Sequence, residues 1–211
     1  GSRHLWGADV LAEVPLVPLA VWTRDRMHSS YWRLGGLFTR PRPLAAPLAY
    51  PDAGDEFYGY CRRPTRLPTG REVPGTRDLI RAVGWMATAL LAHQVGCYVA
   101  RKSECAPAYR ESLGGEWAPL VADVARWVRQ EWRYLIPDTA EARARLRAIC
   151  ARTLGFENHF LAIYRPYLLA ELASEDAAAR ARALEALEYM PLDDATISAA
   201  ASAARGRAAS R

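Results

Sequence analysis

The sequence predicts an all-α protein, an up-and-down helical bundle with an N-terminal Pro-rich segment and room for one small β-hairpin. Three observations lead there. From residue 76 onward, apolar residues recur at helical spacing almost without a break. Seven of the 14 prolines gather instead between residues 39 and 75, which excludes a long helix there. Hydrophobic residues make up 51% of the 211 and charged residues 24%, enough apolar material for a packed core.

The opening "HLWGADVLAEVPLVPL" carries Pro15 and Pro18 and reads as an extended connector. A first helix is expected from Leu19 to Leu34, with Trp22, Met27, Tyr31 and Leu34 at helical spacing and Gly35-Gly36 as its stop. "EFYGYCRR" and "PTGREVPG" read as a small, loose hairpin. The long Pro-rich stretch around it is expected to drape over the core, ordered by its Tyr and Phe residues.

Thr76 follows Pro74-Gly75 and is a good N-cap. Leu79, Val83, Met86, Leu90, Val95 and Tyr98 then form one stripe, a helix of about 24 residues. A second helix follows Lys102 and ends near Gly114-Gly115, and a third runs from Glu116 to Tyr134, before Pro137. Asp138 or Thr139 starts a long helix through Leu146, Ile149, Phe156, Phe160, Tyr164 and Leu168, which Pro166 is able to kink. Two shorter helices, 176–189 and 193–204, complete the bundle. Residues 205–211 are expected to fray. The organisation is thus a first unit over 3–75, packed on a bundle over 76–204, with a tail.

Formal net charge is +5, nearly all of the positive charge being Arg, and part of the excess sits in the tail at Arg205, Arg207 and Arg211. This suits a partner carrying phosphates and falls short of a dedicated nucleic-acid stripe. Cys61, Cys97, Cys105 and Cys150 are scattered without a CxxC pair, against zinc and thioredoxin-like readings. No window reaches the ~20 apolar residues of a spanning helix, so no membrane partner is expected. Gly1-Ser2 reads as the scar of a cleaved tag, no signal peptide is read, and the expected location is the cytoplasm. Most of the seven Trp and ten Tyr belong in the core. His28 and His93 lack ligand-spaced companions and read as structural.

The most specific order lies in "GTRDLIRAVGWMATALLAHQVGCYVARKSECAPAYRESLGGEWAPLV". A long helix, a Gly near its end, a Lys opening the next helix, an aromatic, then "GxEWxxL" resembles the C-terminal helical domain of aminoglycoside-type nucleotidyltransferases. These adenylyltransferases modify streptomycin, spectinomycin and their relatives. "LWGADVLAEVPLVPL" is similar to the link after their catalytic half, so the likeness covers roughly 5–135. The resemblance implies transfer of a nucleoside monophosphate from ATP to a hydroxyl of a small cationic acceptor. In it Lys102, with Arg101 beside it, contacts the nucleotide phosphates. A helix start offers free N–H groups to such an anion. Asp78, Trp85 and Glu157 would form part of the acceptor wall, since an acidic group beside a Trp suits a cationic amino sugar. Asp78, Arg81 and Trp85 form a second stripe on the long helix, away from the apolar one and able to meet the missing domain or a ligand. Asp78 equally suits the first turn of a helix.

The family's catalytic half carries a Gly-Ser turn and a DxD or DxE pair for magnesium, and nothing here matches it. Asp52, Asp55 and Glu56 stand in a Pro-bounded loop. The chain is therefore expected to be inactive alone, with no cofactor of its own. ATP and magnesium enter only when it is joined to a catalytic domain that this chain lacks.

"RTLGFENH" supports an alternative. Arg152 and His159 lie two helical turns apart with Gly155 between them, which is similar to the R-x(4–6)-H spacing of HEPN ribonucleases. That resemblance implies metal-independent attack by a ribose 2′-hydroxyl, as in a toxin, although Thr153 departs from the family's usual Asn, Asp or His. A third reading is a binding module without chemistry.

Overall fold

In the computed structural model, residues 18–35, 54–188 and 194–209 are described. The expectations for residues 3–17, for Asp52 and for the prolines from Pro41 to Pro51 lie outside them. The described residues form seven α-helices, a π-helical stretch and one two-stranded hairpin. In chain order these are α1 (Leu19–Gly35), β1 (Pro64–Arg66), β2 (Glu72–Pro74), α2 (Arg77–Val95), α3 (Cys105–Ser112), α4 (Ala118–Asp123), the π-helical stretch (Val124–Glu131), α5 (Ala140–Ala173), α6 (Ala177–Glu188) and α7 (Ala195–Ala209).

α2 is the hub of the bundle. Leu79, Val83, Met86 and Leu90 are 0–1% exposed, so the apolar stripe in its sequence is its buried face. α1, α3, α5 and the π-helical stretch all pack against it. The helix is shorter than its pattern suggests. Gly96 turns left-handed at φ 63°, and the Gly96 and Cys97 N–H groups bond back to the Ala92 and Leu91 carbonyls at 3.2 and 3.0 Å. That double bond pattern closes the last turn and stops the chain at Val95. Tyr98 thus leaves the stripe, stands 58% exposed, and meets the edge of Trp22 at 4.7 Å.

Thr76 occupies the N-cap position of α2, but its hydroxyl makes no capping bond; its backbone N–H donates to the Tyr134 carbonyl at 2.9 Å. The hairpin pairs Thr65 with Val73, while "EFYGYCRR" forms turns rather than a strand. Gly75 then sits so close to Thr65 and to the Tyr134 carbonyl that a Cβ would approach that oxygen to 2.6 Å. Only glycine fits there.

The expected third helix is broken in character. After α4 the chain widens to i→i+5 bonding, as where the Trp132 N–H reaches the Trp127 carbonyl at 2.8 Å. It ends in two residues with positive φ, Arg133 and Tyr134. α5 begins at a true cap, the Thr139 hydroxyl accepting from the Ala142 N–H at 3.3 Å, and runs unbroken through Pro166. α7 continues as far as Ala209, correcting the expected fray over 205–209: Ala is the strongest helix former, and Arg207 donates to the Leu172 carbonyl at 2.7 Å.

Candidate functional site

A cavity of about 390 Å³ opens between α1, α2, the turn before α3, and the π-helical stretch. Buried Val83, Val121 and Val124 give it an apolar wall. Five basic side chains line it: Arg26, Arg81, Arg101, Lys102 and Arg129. No carboxylate is among the described residues that line it. The one thiol there, Cys105, is pushed up to about 11 by burial and then by Cys97, so it stays neutral and adds no negative charge near pH 7.

Each cation is delivered by a different device. Arg26 follows Trp22 by one helical turn, and its guanidinium lies 5.0 Å from the Trp22 ring centre and 4.2 Å from that of Trp85. Arg81 precedes Trp85 by one turn of α2. Arg129 is brought to the cavity by the π-helical stretch, whose wider turn shifts every later side chain out of α-helical register. Arg101 and Lys102 stand in the turn ahead of α3, whose N-cap position is Glu104. Glu104 accepts the Arg101 N–H at 3.1 Å, so the protein's own carboxylate already sits at that helix start. Gly84, inside α2, lines the cavity as well, and a Cβ there would meet nothing within 4 Å. Packing does not demand a glycine at that position, and its lack of a side chain leaves the cavity wider.

Of the residues singled out from sequence, Lys102, Arg101, Arg81 and Trp85 come together here. The others do not. Asp78 is not on the cavity; its carboxylate lies 3.3 Å from the Arg63 guanidinium and ties the hairpin to α2. Glu157 is fully buried on α5, inside the bundle rather than on an acceptor wall. Trp85 has a face covered by Arg26, which takes the place a cationic amino sugar would need. Asp55 and Glu56 hold their own loop: Asp55 accepts from the Phe57 and Gly59 N–H groups, and Glu56 pairs with Arg143 and Arg147.

The Arg152 and His159 pair is separated by an indole. A Cβ on Gly155 would lie 2.9 Å from the Trp117 ring, so the space read between the two residues is filled. Arg152 is paired with Asp123 at 3.2 Å, and the His159 ring packs on Trp117 and Phe156. Burial lowers the His159 pKa, against a smaller opposing pull from Glu116.

Arg26 and Arg129 escaped the sequence reading. The Trp22–Arg26 spacing was an available signal for the first. None existed for the second, because the π-helical slip is not written in any residue type. The chain matches no family model, no curated protein and no solved structure.

Proposed function

We propose that this chain is the helical nucleotide-closing domain of an antibiotic-type nucleotidyltransferase, which grips the phosphates of ATP in this cavity and does no chemistry alone. One observation carries the reading: Lys102, Arg101 and Trp85, scattered over 18 positions of sequence, converge with three further arginines on a cavity where no described lining residue is a carboxylate. Gathering like charges costs the empty fold energy, and an arriving polyanion reverses that cost. Transfer of the nucleoside monophosphate to the hydroxyl of a small acceptor would need the separate catalytic half with its magnesium. A cationic acceptor would meet five like charges in this cavity, so we assign its seat to the catalytic half as well.

Lys102 is the chain's single lysine, every other basic residue being Arg. An ammonium on a flexible stem can follow a phosphate that moves, where a planar guanidinium fork fixes one geometry. Replacing it tests the reading. Lys102→Ala is expected to weaken ATP binding by roughly ten- to hundredfold, the loss of one charge-assisted hydrogen bond, measured by calorimetric titration. Its melting temperature should stay put, because the side chain is exposed. Unchanged ATP affinity would remove Lys102 from the clamp.

A further inference from the structure

We infer that Gly84 makes the cavity a seat for a whole nucleotide rather than for its phosphates alone: the flat, uncharged base lies deep against the α2 backbone at Gly84, and the phosphates stay at the mouth. This rests on the nucleotide reading above and adds which end of the ligand enters first and which residue limits its size.

The lining is graded by depth. Val83, Val121 and Val124 are buried, Arg26, Arg81 and Arg129 are half-buried, and Arg101 and Lys102 are exposed. Charge thus lies toward solvent and apolar surface lies within. Phosphate oxygens pushed down to the valines would lose their water without gaining a partner from those side chains. A ring gains by leaving water against the same wall.

α2 lines the cavity through Arg81, Gly84, Trp85 and Thr88, which share one face of the helix. The Thr88 hydroxyl is turned back into the helix, 3.0 Å from both the Gly84 and the Trp85 carbonyls. Trp85 has a face covered by Arg26. Between them Gly84 presents bare backbone.

Nothing in the fold asks for a glycine there. Gly84 lacks the positive φ of Gly96, and a Cβ on it would meet no atom within 4 Å. Inside a helix glycine is less favourable than alanine, so the chain gives up stability and keeps the space. Close approach to the backbone is what that space allows, and a flat ring is the part of a nucleotide able to use it.

The test is calorimetric titration of the full chain with ATP and with inorganic tripolyphosphate. ATP is expected to bind about tenfold more tightly or better, the gain from taking one ring out of water. Gly84→Leu fills the space without changing charge, and its circular dichroism reports whether it folds. In it ATP affinity should fall by about tenfold or more, to the level of tripolyphosphate, whose own affinity should not change. Gly84→Ala should weaken ATP binding less while raising the melting temperature, which separates lost affinity from lost folding. Equal affinity of the wild-type chain for the two ligands, or ATP binding unchanged in Gly84→Leu, overturns the inference and leaves the phosphate clamp standing. Tripolyphosphate lost together with ATP in a folded Gly84→Leu also overturns it, since the phosphates would then lie at Gly84. Binding of neither ligand by the wild-type chain sinks the nucleotide reading itself.

Discussion

On one side of α1, Arg24 reaches Glu171 at 2.7 Å and Asp176 at 3.0 Å, and Arg182 reaches Asp25 at 3.1 Å. On the other side, only two residues along, Arg26 lies over two indoles and meets no carboxylate among the described residues. The first side is a closed polar layer against α5 and α6. Buried His28 belongs to it, its Nδ1 2.8 Å from the Tyr164 hydroxyl and its Nε2 3.8 Å from Glu171. The second side leaves its charges open to the cavity. One helix thus shows both uses of arginine: paired, it ties elements together; unpaired and grouped, it waits for an anion.

Breaking the closed side should produce the largest loss of stability. Glu171→Gln leaves Arg24 and His28 facing a neutral amide and is expected to cost about 1.5–3 kcal/mol in chemical denaturation. Tripolyphosphate affinity should be unchanged. Equal damage to both would mean that the two sides are coupled.

Acid probes the same layer. Burial drives the His28 pKa below its ordinary value of 6.5, outweighing the upward pull of Glu171, with Arg182 and Arg24 adding to the fall. His93 and His159 are lowered too, in both cases chiefly by burial. The unfolded chain therefore takes up protons first as pH drops through about 6.5, and the folded state loses ground. Burial raises the Glu171 pKa, yet His28 and Arg24 together hold it below the usual range. That contribution is present above the ordinary carboxylate pKa and is lost as pH falls through the folded value. Both signs agree: the histidines should lower the melting temperature from about pH 7.5 to about pH 5, and Glu171 should steepen the fall only below the ordinary carboxylate pKa. A flat or rising profile would contradict the described burial of these groups.

A smaller effect, of opposite sign, is expected on the open side. Gly84→Ala adds a Cβ where nothing lies within 4 Å and gains helix propensity, so it should stabilise by about 0.5–1 kcal/mol. Gly155→Ala adds the same atom 2.9 Å from the Trp117 ring and should lose that gain. The smallest effect belongs to the open arginines. Arg81→Gln with Arg129→Gln breaks no ion pair among the described residues and thins a group of like charges, so it should leave stability unchanged or raise it by less than about 0.5 kcal/mol.

Much of the bundle was legible from apolar spacing, because burial selects it directly. Leu79, Val83, Met86 and Leu90 mark α2, and Leu146, Phe156, Phe160 and Leu168 mark α5. Val95 and Tyr98 fit the same spacing but stand exposed, since Gly96 ends the helix through a backbone conformation that apolar periodicity cannot report. For the site, Lys102 and Trp85 could be picked out by order and type along the chain. Arg26 and Arg129 could not be joined to them, because α1 and the π-helical stretch are brought to α2 only by tertiary packing. Asp78 suited a ligand or a helix start, and Glu157 a ligand or a buried place in the bundle; residue type alone could not choose, whereas Arg63 and the bundle interior account for where they sit.

The single lysine offers the most direct test that phosphate fills the open side. The initial rate at which acetic anhydride acetylates Lys102, read by mass spectrometry of the peptide that carries it, reports how open one side chain at the cavity is. Tripolyphosphate should slow that acetylation in the wild-type chain and in Glu171→Gln, and should have no effect once Arg81 and Arg129 are both Gln. Acetylation of the wild-type chain at the same rate with and without tripolyphosphate would contradict the account.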